Sequence, residues 1–230
     1  MFIDNPKIKI MKKIITLLFT ISITSVSFSQ TDANPSVDFN NNSSDATGLA
    51  VSEGSILISA YYGGPNLNAT ILEAAYSNIG EDNPAASIGP VGGTFSYMVT
   101  DAVGVGLDVN YTDISITWND NAVDSSGTSV NYDYKVGMST IRIMPRFDFH
   151  FGTSEKFAPY VGVAAGWRNR TYYAKTDDPN FDDSDAEGFN PIAFRIAAGG
   201  SIFFTDFLGL NLELGLGGGG LVRGGLVFKL

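Results

Sequence analysis

Residues 141–150 read IRIMPRFDFH, and the alternation in this stretch decides the fold. Ile141, Ile143, Phe147 and Phe149 occupy one set of alternate positions, with Pro145 in step with them. Arg142, Arg146 and Asp148 occupy the other. Side chains of an extended strand point to opposite faces in turn, so a two-residue period separates an apolar face from a charged one. Pro145 falls on the apolar face, and its missing ladder donor predicts an interruption or bulge there.

The same period recurs along the chain. In 103–112, Val103, Val105, Leu107, Val109 and Tyr111 oppose Gly104, Gly106, Asp108, Asn110 and Thr112. Residues 157–168, 192–204, 208–216 and 222–230 alternate likewise, carrying Arg168, Arg195, Glu213 and Arg223 on their non-apolar faces. Segments near 55–63 and 86–99 are strand-like but less regular, because Leu57 and Ile88 blur the faces. Together these predict an all-β chain of eight strands. Short turns follow the second, fourth and sixth strands, at 100–102, 152–155 and 205–207. Longer polar stretches follow the first, third and fifth, near 64–85, 119–128 and 175–188. The last hairpin closes through glycines at 217–220, and 69–79 is either a short helix or a strand extension. TDAVGVGLDV (100–109) aligns with TDFLGLNLEL (205–214), each a tight turn leading to an inward acid, Asp108 or Glu213. Long and short connections at opposite ends describe an up-and-down antiparallel meander.

The N-terminus sets the compartment. Lys7, Lys9, Lys12 and Lys13 precede the apolar run IITLLFTISI, and Ser27-Phe28-Ser29 supplies small residues before Gln30. This is the pattern of a signal peptide over 1–29, and Met11 is an alternative start, since MKKIITLLF by itself opens a signal peptide. A polar leader without period follows over 30–52, and the barrel occupies 53–230. Removing 1–29 leaves 10 basic against 23 acidic side chains, which argues against nucleic-acid binding. The chain has no cysteine, which excludes disulfides and thiolate metal sites. No later stretch is apolar for long enough to span a bilayer as a helix, so membrane insertion would require a closed barrel.

Alternation leaves open whether the apolar face points into a soluble core or out into lipid. The composition of the other face favours lipid outside. It mixes Gly and Ala with isolated charges and holds little Lys. Arg142, Arg146, Arg168 and Arg195 can balance Asp108, Asp148 and Glu213 inside a narrow lumen. Tyr111, Trp118, Tyr132, Tyr134, Trp167 and Tyr173 lie toward the long connections, and Phe147, Phe149, Phe157, Phe204 and Phe207 toward the short turns. Two aromatic bands around an aliphatic zone are the girdles of a transmembrane barrel. The structural rival is a soluble secreted barrel.

FAPYVGVAAGW (157–167), TDFLGLNLELGLG (205–217) and the closing GGLVFKL (224–230) carry a resemblance. The sequence is similar to the small OmpA/OmpX-type eight-stranded barrels of the outer-membrane protein beta-barrel family. The resemblance covers 53–230 and is mainly one of pattern. It implies a monomeric barrel in the outer membrane of a Gram-negative envelope, with lipids as its first partners and surface loops open to an extracellular partner.

Chemistry is sparse in the chain. His150 is its one histidine and lies at the turn end of a strand, away from the outer rim where barrel enzymes hold their sites. The expectation is therefore no catalytic residue and no cofactor. Asp177, Asp178, Asp182, Asp183, Asp185 and Glu187 form an acidic stretch that offers hard oxygen ligands for Ca²⁺. An EF-hand is rejected, because loop position twelve would fall on Phe194 and no helices flank the stretch. A structural or interaction role is the functional expectation, ahead of a small-solute pore and then of a lipid A-modifying enzyme.

Overall fold

A computed structural model describes residues 49–66, 69, 86–123, 127–152 and 154–230. The expected signal peptide, most of the leader and nearly all of 69–79 lie outside the described residues. The strands are β1 (Ile56–Gly64), β2 (Ala86–Met98), β3 (Val103–Val123), β4 (Ser129–His150), β5 (Phe157–Thr176), β6 (Ser184–Glu187), β7 (Ile192–Phe203), β8 (Leu208–Gly217) and β9 (Val222–Lys229). Every pairing is antiparallel. β1 pairs with both β2 and β9, and β4 with both β3 and β5, so the sheet closes on itself. β6 and β7 occupy the same edge of β5, at Thr171–Ala174 and Phe157–Trp167 respectively, and act as one wall strand interrupted at 188–191. The result is an eight-stranded up-and-down barrel. Closure removes the unpaired edges that an open sheet would expose.

Each irregularity in the sequence pattern has a local cause. Ile88 changes parity because the β2–β3 register shifts between Ile88 and Val91, which returns its side chain to the outside. At Pro145 the β4–β5 ladder skips from Ile143↔Trp167 to Arg146↔Ala164 without changing register. The proline therefore interrupts the ladder without a bulge. Gly166 falls in the skipped stretch, opposite Met144, and a Cβ there would collide with the Ile143 carbonyl. Leu57 points inward, where it joins Ala50, Val51, Met98, Ala158, Phe203 and Val227 in a buried apolar cluster. Residues 50–51, at the end of the polar leader, thus fill the short-turn mouth. Hydrogen bonds from Ala50 N to Ser154 O (2.8 Å) and from Lys229 Nζ to Ala50 O (2.9 Å) hold them there.

The short turns share one construction. Backbone amides of Val103 and Leu208 donate to the hydroxyls of Thr100 and Thr205 (3.0 Å each), and that of Phe157 donates to Ser154 Oγ (3.3 Å). The two aligned segments, 100–109 and 205–214, are equivalent corners of the barrel. At the other end the polar stretch near 119–128 is no long loop. β3 runs to Val123 and pairs with β4 from Ser129. Polar residues alternate there without an apolar partner set, so the extension reads as a loop in sequence.

Candidate functional site

The outer wall and the lumen have opposite chemistry over the middle of the strands. Val105, Leu107, Val109, Ile141, Ile143, Phe147, Val161, Val163, Ile196, Leu210, Leu212, Leu214 and Leu226 are exposed on the outside. Asp108, Arg146, Asp148, Arg195, Glu213 and Arg223 are buried on the inside. A soluble barrel would bury the first set and hydrate the second.

Inside, the charges form one connected network. Arg146 Nε donates to both oxygens of Asp148 (2.8 and 2.9 Å), and its Nη2 donates to Glu213 Oε2 at 2.6 Å. Arg195 Nε donates to Glu213 Oε1 at 2.6 Å, and Arg223 Nη1 to Asp108 Oδ2 at 2.5 Å. Tyr61 donates to Asp108 (2.6 Å) and Tyr160 to Glu213 (3.0 Å). The rings of Tyr61 and Tyr160 also lie under the guanidiniums of Arg223 (4.4 Å) and Arg146 (5.4 Å). Three guanidiniums thus meet three carboxylates, and the β3–β9 and β4–β8 bonds cross between non-adjacent strands. Burial makes such pairing obligatory, because an unpaired charge in a dry lumen is costly.

The glycine connection between β8 and β9 closes over this network. Arg223 Nη2 donates to Gly218 O (2.6 Å) and Arg195 Nη1 to Gly220 O (3.1 Å). Gly219 has φ +111°, and a Cβ there would strike the Arg223 guanidinium. Glycine is the residue that lets the backbone approach this closely. Below the network a cavity of about 30 Å³ remains, bounded by residues such as Ser59, Thr94, Ser201 and Asn211, enough for about one water. A larger hollow of about 740 Å³ lies on the outer wall, lined by apolar residues including Val163, Ile196 and Leu214.

Five of the seven lumen residues expected from sequence, Asp108, Arg146, Asp148, Arg195 and Glu213, join this network. Arg142 reaches it only through Asn110, donating to Asn110 Oδ1 (3.0 Å), whose amide in turn donates to Asp108 (3.1 Å). Arg168 does not join it. It donates from Nε to Asn190 O (2.9 Å). The sequence reading missed Arg223 as a member, together with Tyr61 and Tyr160. Arg223 sits on the inward set of β9 beside Gly224 and Gly225, and its parity was the available signal.

Above the lipid-facing zone the polarity reverses. Ile114, Ile116, Val136, Met138, Tyr172 and Ala174 turn inward as a buried cluster, while Lys135, Thr117 and Lys175 face out. Trp118 and Tyr134 belong to this inner face and stack at 5.7 Å, so neither is a girdle residue, and Tyr132 shares their parity. Tyr111 and Trp167 remain exposed at the upper edge, and Phe147, Phe157, Phe204 and Phe207 at the lower.

The acidic stretch 177–187 sits on this upper wall. Asp178 is buried and accepts from Tyr134 Oη (2.7 Å) and the Asn180 amide (2.9 Å). Burial, and then this bond, push the Tyr134 hydroxyl above its ordinary value. Asp177 accepts from Asp133 N (2.7 Å) and Asp183 from Thr176 N (3.1 Å). Asp182 is exposed, as are Asp185 and Glu187 in β6. Among the described residues no three such side chains converge on a point that could hold a metal ion. His150 is buried beside the Tyr160 ring, centroids 5.3 Å apart.

A closed ring with an apolar belt outside and paired charges inside defines a transmembrane β-barrel of the outer-membrane type. No family model matches the chain, and no curated protein does. Among solved structures, it is similar to the N-terminal β-barrel domain of Pseudomonas aeruginosa OprF, at 16% identity and TM-score 0.40 over 78% of this chain and 99% of that one. It is also similar to E. coli outer membrane protein W, at 15% identity and TM-score 0.37 over 78% and 99%. P. aeruginosa outer membrane protein OprG aligns at 13% identity and TM-score 0.37 over 79% and 99%.

Proposed function

We propose that this chain is a non-enzymatic outer-membrane barrel with a sealed lumen, acting as a structural anchor that presents the tall β3–β6 wall to the outside. The observation that carries the reading is the buried network of three arginines and three acids, capped by the 217–220 backbone, with a cavity of only about 30 Å³ beside it. Ions need a continuous hydrated path, and here the cross-section is occupied by side chains bound across the barrel. A small-solute pore is the reading opposed to it. Purified barrel in planar bilayers should show no steady single-channel conductance in molar KCl. Stable, voltage-independent steps from folded, heat-modifiable protein would overturn the sealed lumen.

A further inference from the structure

Among the described residues, one block of the lumen wall has no acidic partner. Arg142 and Arg168 are direct cross-strand partners on β4 and β5, and Thr140 and Arg170 form the next pair on the same inward face. All four are buried, at 4%, 8%, 1% and 4% exposure respectively. Among the described residues, Arg142 Nε, Arg168 Nη2, Arg170 Nε, Arg170 Nη1 and Thr140 Oγ1 have no hydrogen-bond partner. Five buried donor atoms therefore cluster on one two-by-two patch.

Among the described residues no carboxylate pairs with any of these three arginines. Asp108, Asp148 and Glu213 are taken by Arg146, Arg195 and Arg223. Asp113 faces away, accepting from Tyr173 Oη (3.0 Å). Asp178 lies beside Tyr134, eight residues further up β4 than Arg142 and so roughly 26 Å away along the strand. Arg168 faces Arg142 directly across the β4–β5 ladder, and Arg170 is the next inward residue of β5. Like charges facing each other across a ladder repel, and a guanidinium cannot shed its proton to escape.

We infer that the Arg142–Arg168–Arg170 block, with Thr140, is a binding site for a small oxyanion of the phosphate or sulfate type. Such an anion offers several acceptor oxygens in the geometry that guanidinium forks match, and it supplies the missing negative charge. Neutral groups nearby satisfy only part of the donor set: Asn110 Oδ1 and Thr112 Oγ1 (3.2 Å) for Arg142, Asn190 O for Arg168 and Tyr172 for Arg170.

The test uses full-length barrel refolded in detergent, in inorganic phosphate or in chloride at matched ionic strength. The readout is the midpoint of the thermal heat-modifiability transition. Phosphate should raise the wild-type midpoint by several degrees at about 10 mM, as expected for a ligand that binds only the folded state. Arg168→Met and Arg170→Met should lose that rise and, in chloride, melt at or above wild type, because each removes an uncompensated charge. A wild-type midpoint equal in both salts would overturn the inference, as when a carboxylate of the chain supplies the counter-charge. An equal phosphate rise in wild type and variants would also overturn it, marking a general salt effect. Should a variant fail to refold, equilibrium dialysis of wild type with radiolabelled phosphate decides: saturation at one per barrel supports the site, and no saturable uptake refutes it.

Discussion

Glu213 accepts from Arg146 and Arg195 at 2.6 Å each and from Tyr160 at 3.0 Å, so one carboxylate ties β8 to β4, β7 and β5. Asp108 does the same for β3, β9 and β1 through Arg223 and Tyr61. Removing a single member strands its partners, whereas removing a pair together leaves a smaller deficit. Glu213→Leu should therefore lose about 3–5 kcal/mol in reversible urea unfolding of the refolded barrel. Pairing it with Arg195→Met should recover part of that loss. Additive losses in the double variant would mean that the two side chains are not coupled. The charged residues were legible in sequence because strand parity names the inward face, and five of the seven expected members meet. Which arginine meets which acid was not legible, because the bonds cross the barrel and depend on stagger, which no local pattern encodes. Arg142 and Arg168 show the consequence: parity placed them in the lumen, but among the described residues no inward acid pairs with them.

The strands and turns were the most readable elements, since a two-residue period and a hydroxyl at the head of a turn are local signals. Leu57, Ile88 and Pro145 blurred the pattern for three different reasons: an apolar plug from residues 50–51, a register shift in β2, and two skipped rungs opposite Ala165 and Gly166. None of these can be seen without the neighbouring strand. The 217–220 connection is the least ordinary element, because it turns inward and its carbonyls serve Arg195 and Arg223. Gly219 combines a left-handed backbone with contact against a buried guanidinium, whereas Gly127 has φ +83° with open space around it. Gly219→Ala should therefore cost about 1–3 kcal/mol, and Gly127→Ala less, since it bears backbone strain alone. The measurement is the urea midpoint of each variant. Equal losses at both positions would remove the role assigned to the glycine cap.

Over the whole molecule, each long strand changes its allegiance part-way up. Below the level of Tyr111, Ile141 and Trp167 the outward residues are apolar, and the inward ones hold the paired charges above the apolar plug. Above it, Lys135 and Thr117 face out while Val136, Met138 and Ile116 are buried. One strand cannot do both in a single solvent, so the reversal marks the membrane surface and fixes which part of β3, β4 and β5 stands clear of lipid. The tall side of the barrel, from β3 to β6, is therefore a small water-exposed sheet with its own apolar interior, standing on a lipid-embedded base. This division was hidden in sequence because the alternation keeps its period through the reversal and only the identity of the faces changes. The absence of cysteine makes the boundary measurable with single substitutions. In barrel reconstituted in lipid nanodiscs, Lys135→Cys should react quickly with a membrane-impermeant maleimide. Ile143→Cys, outward but within the belt, should stay unlabelled until the lipid is removed. Val136→Cys, at the height of Lys135 but facing inward, should label only on denaturation. Rapid labelling at Ile143→Cys in intact nanodiscs would place the belt in water and return the chain to the soluble-barrel class. Rapid labelling at Val136→Cys alone would leave the membrane base intact and remove the closed interior of the upper wall.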